Sequence, residues 1–250
     1  MPVMKIADGE IYYEEFGRGF PVLCFAPGSL RSQSDYWHQS PRDPSKPSPA
    51  MDPTADLADH FRVIAMDQRN AGRSRAPVGA SDGWDTYAGD HIALLDHLGI
   101  GRCHTIGACI GASFCLKLAE MVPHRIASAV LMQPIGRVPE NVAYTKRETA
   151  ENWGPGLCKS NPALYLADVI ALGECMFSPE FVHSVTRDFG AGCRTPMLLM
   201  PGNDTAHPAA VSDEVLRLAP NIEYLKVWKG EGRAYSALCS RDFLLRNTPG

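Results

Sequence analysis

Cys109 stands between two glycines in the run Gly107-Ala108-Cys109-Ile110-Gly111. The apolar stretch Cys103-His104-Thr105-Ile106 precedes it, and a helix-like segment, Ala112 to Met121, follows. A residue held between glycines on a sharp strand-to-helix turn has the geometry that exposes a nucleophile. Serine is the usual occupant of such a turn; here it is a thiol. At the amino end of a helix the macrodipole favours an anion, and a cysteine so placed can titrate well below its free value of ~8.5. A thiolate is intrinsically nucleophilic and leans less on a general base than a hydroxyl does. The chemistry this predicts is covalent attack on an activated carbonyl. The competing reading is a small residue that merely fits a tight turn.

The elements that must position Cys109 follow from hydrophobic periodicity. Met4 to Ile6 and Ile11 to Glu15 alternate around Asp8-Gly9, as in a β-hairpin. Pro21 to Ala26, Arg62 to Met66, Cys103 to Ile106, Ile126 to Met132, Pro196 to Met200 and Ile222 to Val227 are short apolar runs, as expected of strands buried on both faces. Trp84 to Leu98, Ala112 to Met121, Pro208 to Leu218 and Arg233 to Arg246 read as helices between them. Pro162 to Cys175 and Pro179 to Asp188 read as shorter helical pieces. Ser40 to Pro53 has no hydrophobic period and reads as an extended surface loop. Strand–helix alternation predicts an α/β fold with a mostly parallel sheet covered on both faces. Ligands in such sheets bind at the carboxyl ends of the strands. Asp67, Cys109, Gln133 and Asp204 all lie at or just past such ends.

The chain has 250 residues and 45% hydrophobic content, enough for one α/β domain with an inserted cap. Its formal charge is -4 with no basic stripe, which argues against nucleic acid as a partner. No apolar run is long enough to span a bilayer and no signal-peptide pattern is visible, so no membrane association and a cytoplasmic location are expected. The eight cysteines include no Cys-x-x-Cys pair and no zinc-finger spacing. Most are expected to be buried, reduced thiols, with no metal and no cofactor.

Four local patterns then resemble the α/β-hydrolase fold superfamily, in order and nearly end to end. Phe25-Ala26-Pro27-Gly28-Ser29 sits where that family has its oxyanion loop. Asp67-Gln68-Arg69-Asn70-Ala71-Gly72-Arg73-Ser74 resembles its Asp-x-Arg-Gly-x-Gly-x-Ser turn. Gly107 to Gly111 matches the nucleophile elbow, with cysteine as in enzymes similar to dienelactone hydrolases. Gly202-Asn203-Asp204, with Pro208 four residues on, resembles the loop of the triad acid. The resemblance implies an eight-stranded sheet with helices on both faces and a small helical cap. It divides the chain into a core (1–136), a cap (137–190) and the rest of the core (191–250). It also implies backbone N–H groups of Ser29 and Ile110 as the oxyanion hole, and Asp204 as the acid.

The family's histidine belongs in the loop after the last strand, but here that loop holds Arg233 near the expected place. Arginine cannot act as a base at neutral pH. Of the eight histidines, His60, His91, His97 and His124 read as solvated or capping scaffold residues, and His104 as a core residue. His38 and His183 could reach a pocket. His207, directly before Pro208, is assigned the base role, alone with Cys109 or helped by Asp204. A loop only three residues long makes it hard for Asp204 to orient His207 as well. Gln133, His38, Trp153 and Arg233 are the substrate-pocket candidates. The leading function is a cysteine-dependent hydrolase of a lactone, ester or thioester. Acyl transfer, carbon–carbon bond hydrolysis or lyase chemistry on the same site stays open, as does a non-catalytic binding protein. The expected partners are a small-molecule substrate and, as an open alternative, a second copy of the chain.

Overall fold

The computed structural model describes residues 2–79 and 81–250. The eight strands are β1 (Val3–Ile6), β2 (Gly9–Phe16), β3 (Phe20–Phe25), β4 (Phe61–Met66), β5 (Cys103–Ala108), β6 (Ile126–Met132), β7 (Met197–Met200) and β8 (Ile222–Tyr224). They form one sheet in the order β1-β2-β4-β3-β5-β6-β7-β8. β2 runs antiparallel to both β1 and β4; every other pair is parallel.

The helices are α1 (Pro53–Asp56), α2 (Trp84–His97), α3 (Ile110–Met121), α4 (Val142–Glu148), α5 (Gly154–Ser160), α6 (Leu166–Phe177), α7 (Arg187–Gly192), α8 (Ala209–Leu218) and α9 (Arg233–Arg246). The central strands are apolar throughout because both faces are covered. Successive side chains point to opposite faces of a strand. Thus Leu23, Phe25, Ile64, Leu131 and Leu199 join Tyr87, Leu94, Phe114 and Val215 of α2, α3 and α8 on one face. Their neighbours Val22, Cys24, Val63, Val130 and Met200 join Trp37, Met51, Phe243 and Leu244 on the other.

Two expected elements differ. Pro179 to Asp188 is not a helix: Phe181 and His183 have positive φ, and Phe181 pairs with Arg137 in an isolated bridge. That backbone cannot continue a right-handed turn, so α7 starts only at Arg187. The last strand ends at Tyr224, although the Leu225 N–H still donates to the Leu199 carbonyl at 2.9 Å. His91, expected to be a solvated or capping residue, is fully buried in α2, packed at a tilt against Phe25 and hydrogen-bonded to Gln68. Among the described residues no helix is long and apolar enough to cross a membrane.

The sheet reverses its winding between β3 and β5, and the loops that leave these two strands splay apart above their carboxyl ends. This is the switch point at which such sheets bind ligands. It places the loop at Gly28 and the turn at Cys109 side by side.

Candidate active site

Cys109 is the residue between β5 and α3, with φ 59° and ψ -119°. A non-glycine residue held there stores strain of about 1–3 kcal/mol, and such strain clusters at functional sites. The turn is over-determined. The Cys109 N–H donates to the Met132 carbonyl at 3.0 Å, and its own carbonyl accepts from the Ala112 N–H at 3.1 Å. A Cβ on Gly107 would overlap the Gly111 carbonyl, and one on Gly111 would overlap the Phe25 carbonyl. Both glycines are therefore required by close approach of backbone to backbone. The helix opens at Ile110, two residues earlier than its apolar period suggested.

The backbone amides facing the sulfur are those of Ile110 and Gly28. The expectation names Ser29, the next residue along the same turn, for the second amide. Gly28 has φ 121°, and a Cβ there would meet the Tyr36 ring at 2.7 Å. Both the positive φ and the ring therefore require glycine at this position. Ser29 instead brings its hydroxyl, with Oγ 4.0 Å from the Cys109 sulfur.

Asp204 and His207 lie on the loop between β7 and α8, and that loop does fold back. The two residues exchange backbone hydrogen bonds of 3.1 and 3.2 Å. Oδ1 of Asp204 accepts from the Ala206 and His207 amides at 2.9 and 3.0 Å, and from Nδ1 of His207 at 2.9 Å. The anticipated obstacle is absent, because an aspartate can close such a turn through its own side chain. Gly202 leaves room for it: a Cβ there would strike His207. With Nδ1 donating to the carboxylate, Nε2 is the free ring nitrogen. It is buried without a protein hydrogen-bond partner and couples electrostatically to Cys109.

The charges reinforce one another. Burial alone would push the Cys109 thiol up, but the positive charge of His207 and the Gly28 and Ile110 amides bring it down to about 7. Burial alone would lower His207, but the thiolate and the Asp204 carboxylate lift it to about 9. Burial opposes the charge on Asp204, and the hydrogen bond and charge of His207 outweigh it, leaving its carboxyl well below the usual range. Between about pH 7 and 9 the arrangement holds a thiolate beside an imidazolium, a pair able to attack a carbonyl and protonate a leaving group.

Cys109 opens into a cavity of about 240 Å³. Gln133 lines it, at φ 41°, with its Oε1 buried and unpartnered. Trp153 lines it as well. Two candidates do not. His38 is half exposed and its Nδ1 is bound to Asp52 at 2.5 Å. Arg233 begins α9 and clamps the loop opposite, donating through Nε to the Ala50 carbonyl at 2.9 Å and through Nη2 to Asp56 at 3.3 Å. Arg233 is therefore a structural brace. Asp67 is likewise structural, buried and bonded to Ser34 and Arg73.

Sequence reasoning missed Arg31, Arg42 and Lys229, which also line the cavity. Lys229 directly follows Trp228, whose Nε1 donates to the Pro201 carbonyl at 2.9 Å and ties the two loops together. That neighbour, in a loop already singled out, was the available signal. Among the described residues no cluster of His, Cys, Asp and Glu could hold a metal.

A mostly parallel sheet with a strained residue after β5, facing a carboxylate–imidazole pair after β7, defines an α/β-hydrolase type of enzyme. Residues 21–168 match the family model described as alpha/beta hydrolase fold, and the chain belongs to that family. It is similar to a provisionally named non-heme bromoperoxidase from Mycobacterium tuberculosis, 27% identical over 247 residues that cover 86% of this chain and 87% of the relative. A provisionally named carbamate hydrolase from Pseudomonas savastanoi pv. phaseolicola is 29% identical over 232 residues, covering 90% and 84%. The crystal structure of an enol-lactonase from Burkholderia xenovorans LB400 superimposes with a TM-score of 0.70 at 19% identity, covering 98% of this chain and all of that one.

Proposed function

We propose that this enzyme is a cysteine-dependent hydrolase of small activated acyl compounds, such as lactones, esters or thioesters. The observation that carries the reading is the strained Cys109, with two amides facing its sulfur and the His207–Asp204 pair beside it. In the reaction, the Cys109 thiolate adds to the carbonyl carbon. The oxyanion rests on the Gly28 and Ile110 amides, an interaction worth roughly 3–4 kcal/mol of barrier. His207 then passes its Nε2 proton to the departing oxygen or sulfur, and an acyl-cysteine remains. Neutral His207 takes a proton from water, which attacks the thioester and releases the acid. Asp204 holds the ring in one tautomer throughout. The segment 137–190 acts as the cap, laying Tyr144 and Trp153 over the acyl group.

The carbamate-hydrolase and enol-lactonase names of the relatives fit hydrolysis of a polar acyl group. A binding protein that has lost its histidine is disfavoured, since His207 and Asp204 line the same cavity as Cys109. The test is mass spectrometry of the intact protein mixed with p-nitrophenyl acetate at pH 8. A 42-dalton adduct at Cys109, absent from Cys109→Ala, is expected, together with loss of turnover in that variant. Turnover that survives Cys109→Ala overturns the proposal.

A further inference from the structure

Three cations line the cavity, and among the described residues none of them is in a salt bridge. Arg31 reaches in from the turn that follows Gly28. Its stem packs on Gly156 of α5, where a Cβ would overlap Cδ. Its Nη2 makes only a 3.4 Å contact with the Pro41 carbonyl, and its Nε is buried with no protein partner. A buried N–H left unpaired is costly, so the guanidinium is held in place with bonding capacity unspent. Arg42 lies further out, with Nη2 donating to the Tyr144 hydroxyl at 3.0 Å. Lys229 faces them from the β8 side, over the Trp228 ring with Nζ 4.8 Å from its centroid. It is partly buried, and its charge is felt at both Asp204 and Cys109.

The carboxylates in the same wall are already engaged. Asp204 serves His207, and Glu148 accepts from the Asn152 amide at 3.0 Å. With thiolate and imidazolium cancelling, the wall carries three cations against two anions. The surplus sits where a substrate must pass. An arginine fork matches a carboxylate with two parallel hydrogen bonds, whereas a lysine acts as a point charge.

We propose that the acyl substrate is itself an anion, bearing a carboxylate remote from the scissile carbonyl, and that Arg31 receives this carboxylate with Lys229 assisting. The inference rests on the acyl-cysteine reading above and deepens it. Arg31 and Lys229 are specificity residues: they hold the far end of the substrate while Cys109 attacks the near end.

The test compares the mono-p-nitrophenyl esters of succinate and glutarate with p-nitrophenyl butyrate and valerate, which have equal chain lengths without the second carboxylate. In the wild-type enzyme kcat/KM is expected to favour an anionic ester over its neutral counterpart at least tenfold, for one or both lengths. Arg31→Met should cut that ratio about tenfold, Lys229→Met severalfold, and Arg31→Lys less than Arg31→Met. A wild-type ratio near one at both lengths, or a ratio that neither Met variant moves, overturns the proposal. Glutarate alone should also slow iodoacetamide labelling of Cys109 in the wild type and not in Arg31→Met. That arm needs no turnover. If no ester acylates Cys109 but glutarate protects it, the reaction proposed above fails and the anion site stands. Absence of protection, with labelling otherwise normal, counts against the site itself.

Discussion

Cys109 and His207 each carry a charge that burial alone would remove, and each owes it to the other. The apparent values of about 7 and 9 therefore belong to the pair rather than to either residue alone. Under the proposed mechanism kcat/KM follows a bell, rising as the thiol ionises near pH 7 and falling as the imidazolium deprotonates near pH 9. The two limbs can be moved separately. His207→Gln removes the positive charge that offsets burial, so the thiol returns upward; iodoacetamide labelling of Cys109 should need a pH at least one unit higher. Turnover of an ester should fall by two orders of magnitude or more, within the range general acid–base catalysis supplies. Labelling that keeps its midpoint near 7 in His207→Gln would show that the helix terminus alone activates the thiol. Asp204→Asn acts from the other side. It removes the carboxylate that lifts His207, so the alkaline limb should move to lower pH and narrow the bell, as a pH–rate profile of that variant would reveal.

The elbow shows why one element cannot move without another. Gly111 lies in the first turn of α3, against the Phe25 carbonyl at the end of β3. Gly111→Ala forces the helix away from the strand. Overpacking of this kind costs typically 1–3 kcal/mol. It also shifts Cys109 relative to the Gly28 amide, which belongs to the loop leaving β3. Labelling at pH 7 should slow by at least tenfold even where circular dichroism reports a folded protein; wild-type labelling in a folded Gly111→Ala protein would contradict the account. Much of this was legible in the sequence. Two glycines flanking a polar residue between a strand pattern and a helix pattern state the backbone requirement directly, and the buried strands announced themselves as apolar runs. Three things were not legible. The turn at Gly28 and Ser29, with two successive positive φ values of 121° and 52° beside the Tyr36 ring, has no hydrophobic period to announce it. The segment Pro179 to Asp188 has helical spacing but is overridden by pairing with Arg137. The closure of Asp204 onto His207 is a side-chain turn, and no hydrophobic period records it. His38 and Arg233 misled because a titratable or cationic residue in a loop near the site looks the same in sequence whether it faces the cavity or braces the wall.

At the scale of the whole molecule, the antiparallel edge of the sheet is fastened to its helical layer by one buried cation. Arg69 follows β4, with its side chain 4% exposed. It grips Asp90 of α2 through two hydrogen bonds of 3.0 Å, and Asp8 of the β1–β2 turn through bonds of 2.9 and 3.2 Å. Burial pushes the Asp90 carboxyl up although Arg69 pulls it down, so ionising Asp90 at neutral pH costs the folded state some stability. Its partner differs: burial disfavours the guanidinium, but the two carboxylates more than restore it and hold Arg69 above its ordinary range. The pair matters chiefly because neither member can be left behind. Asp90→Ala strands a buried guanidinium with only Asp8, which is 44% exposed. Breaking a buried pair from one side costs about 3 kcal/mol or somewhat more. In a chain of this length that corresponds to a fall in Tm of roughly 6–12 °C. Asp8→Ala removes a partner that solvent already screens, and the expected loss is under about 1 kcal/mol. Thermal unfolding followed by circular dichroism separates the two. Equal losses for the two variants would mean that the edge hairpin, rather than the helix layer, is what Arg69 secures. Both variants should still label at Cys109 with wild-type kinetics at 20 °C, because the brace and the elbow lie on different loops and share no partner.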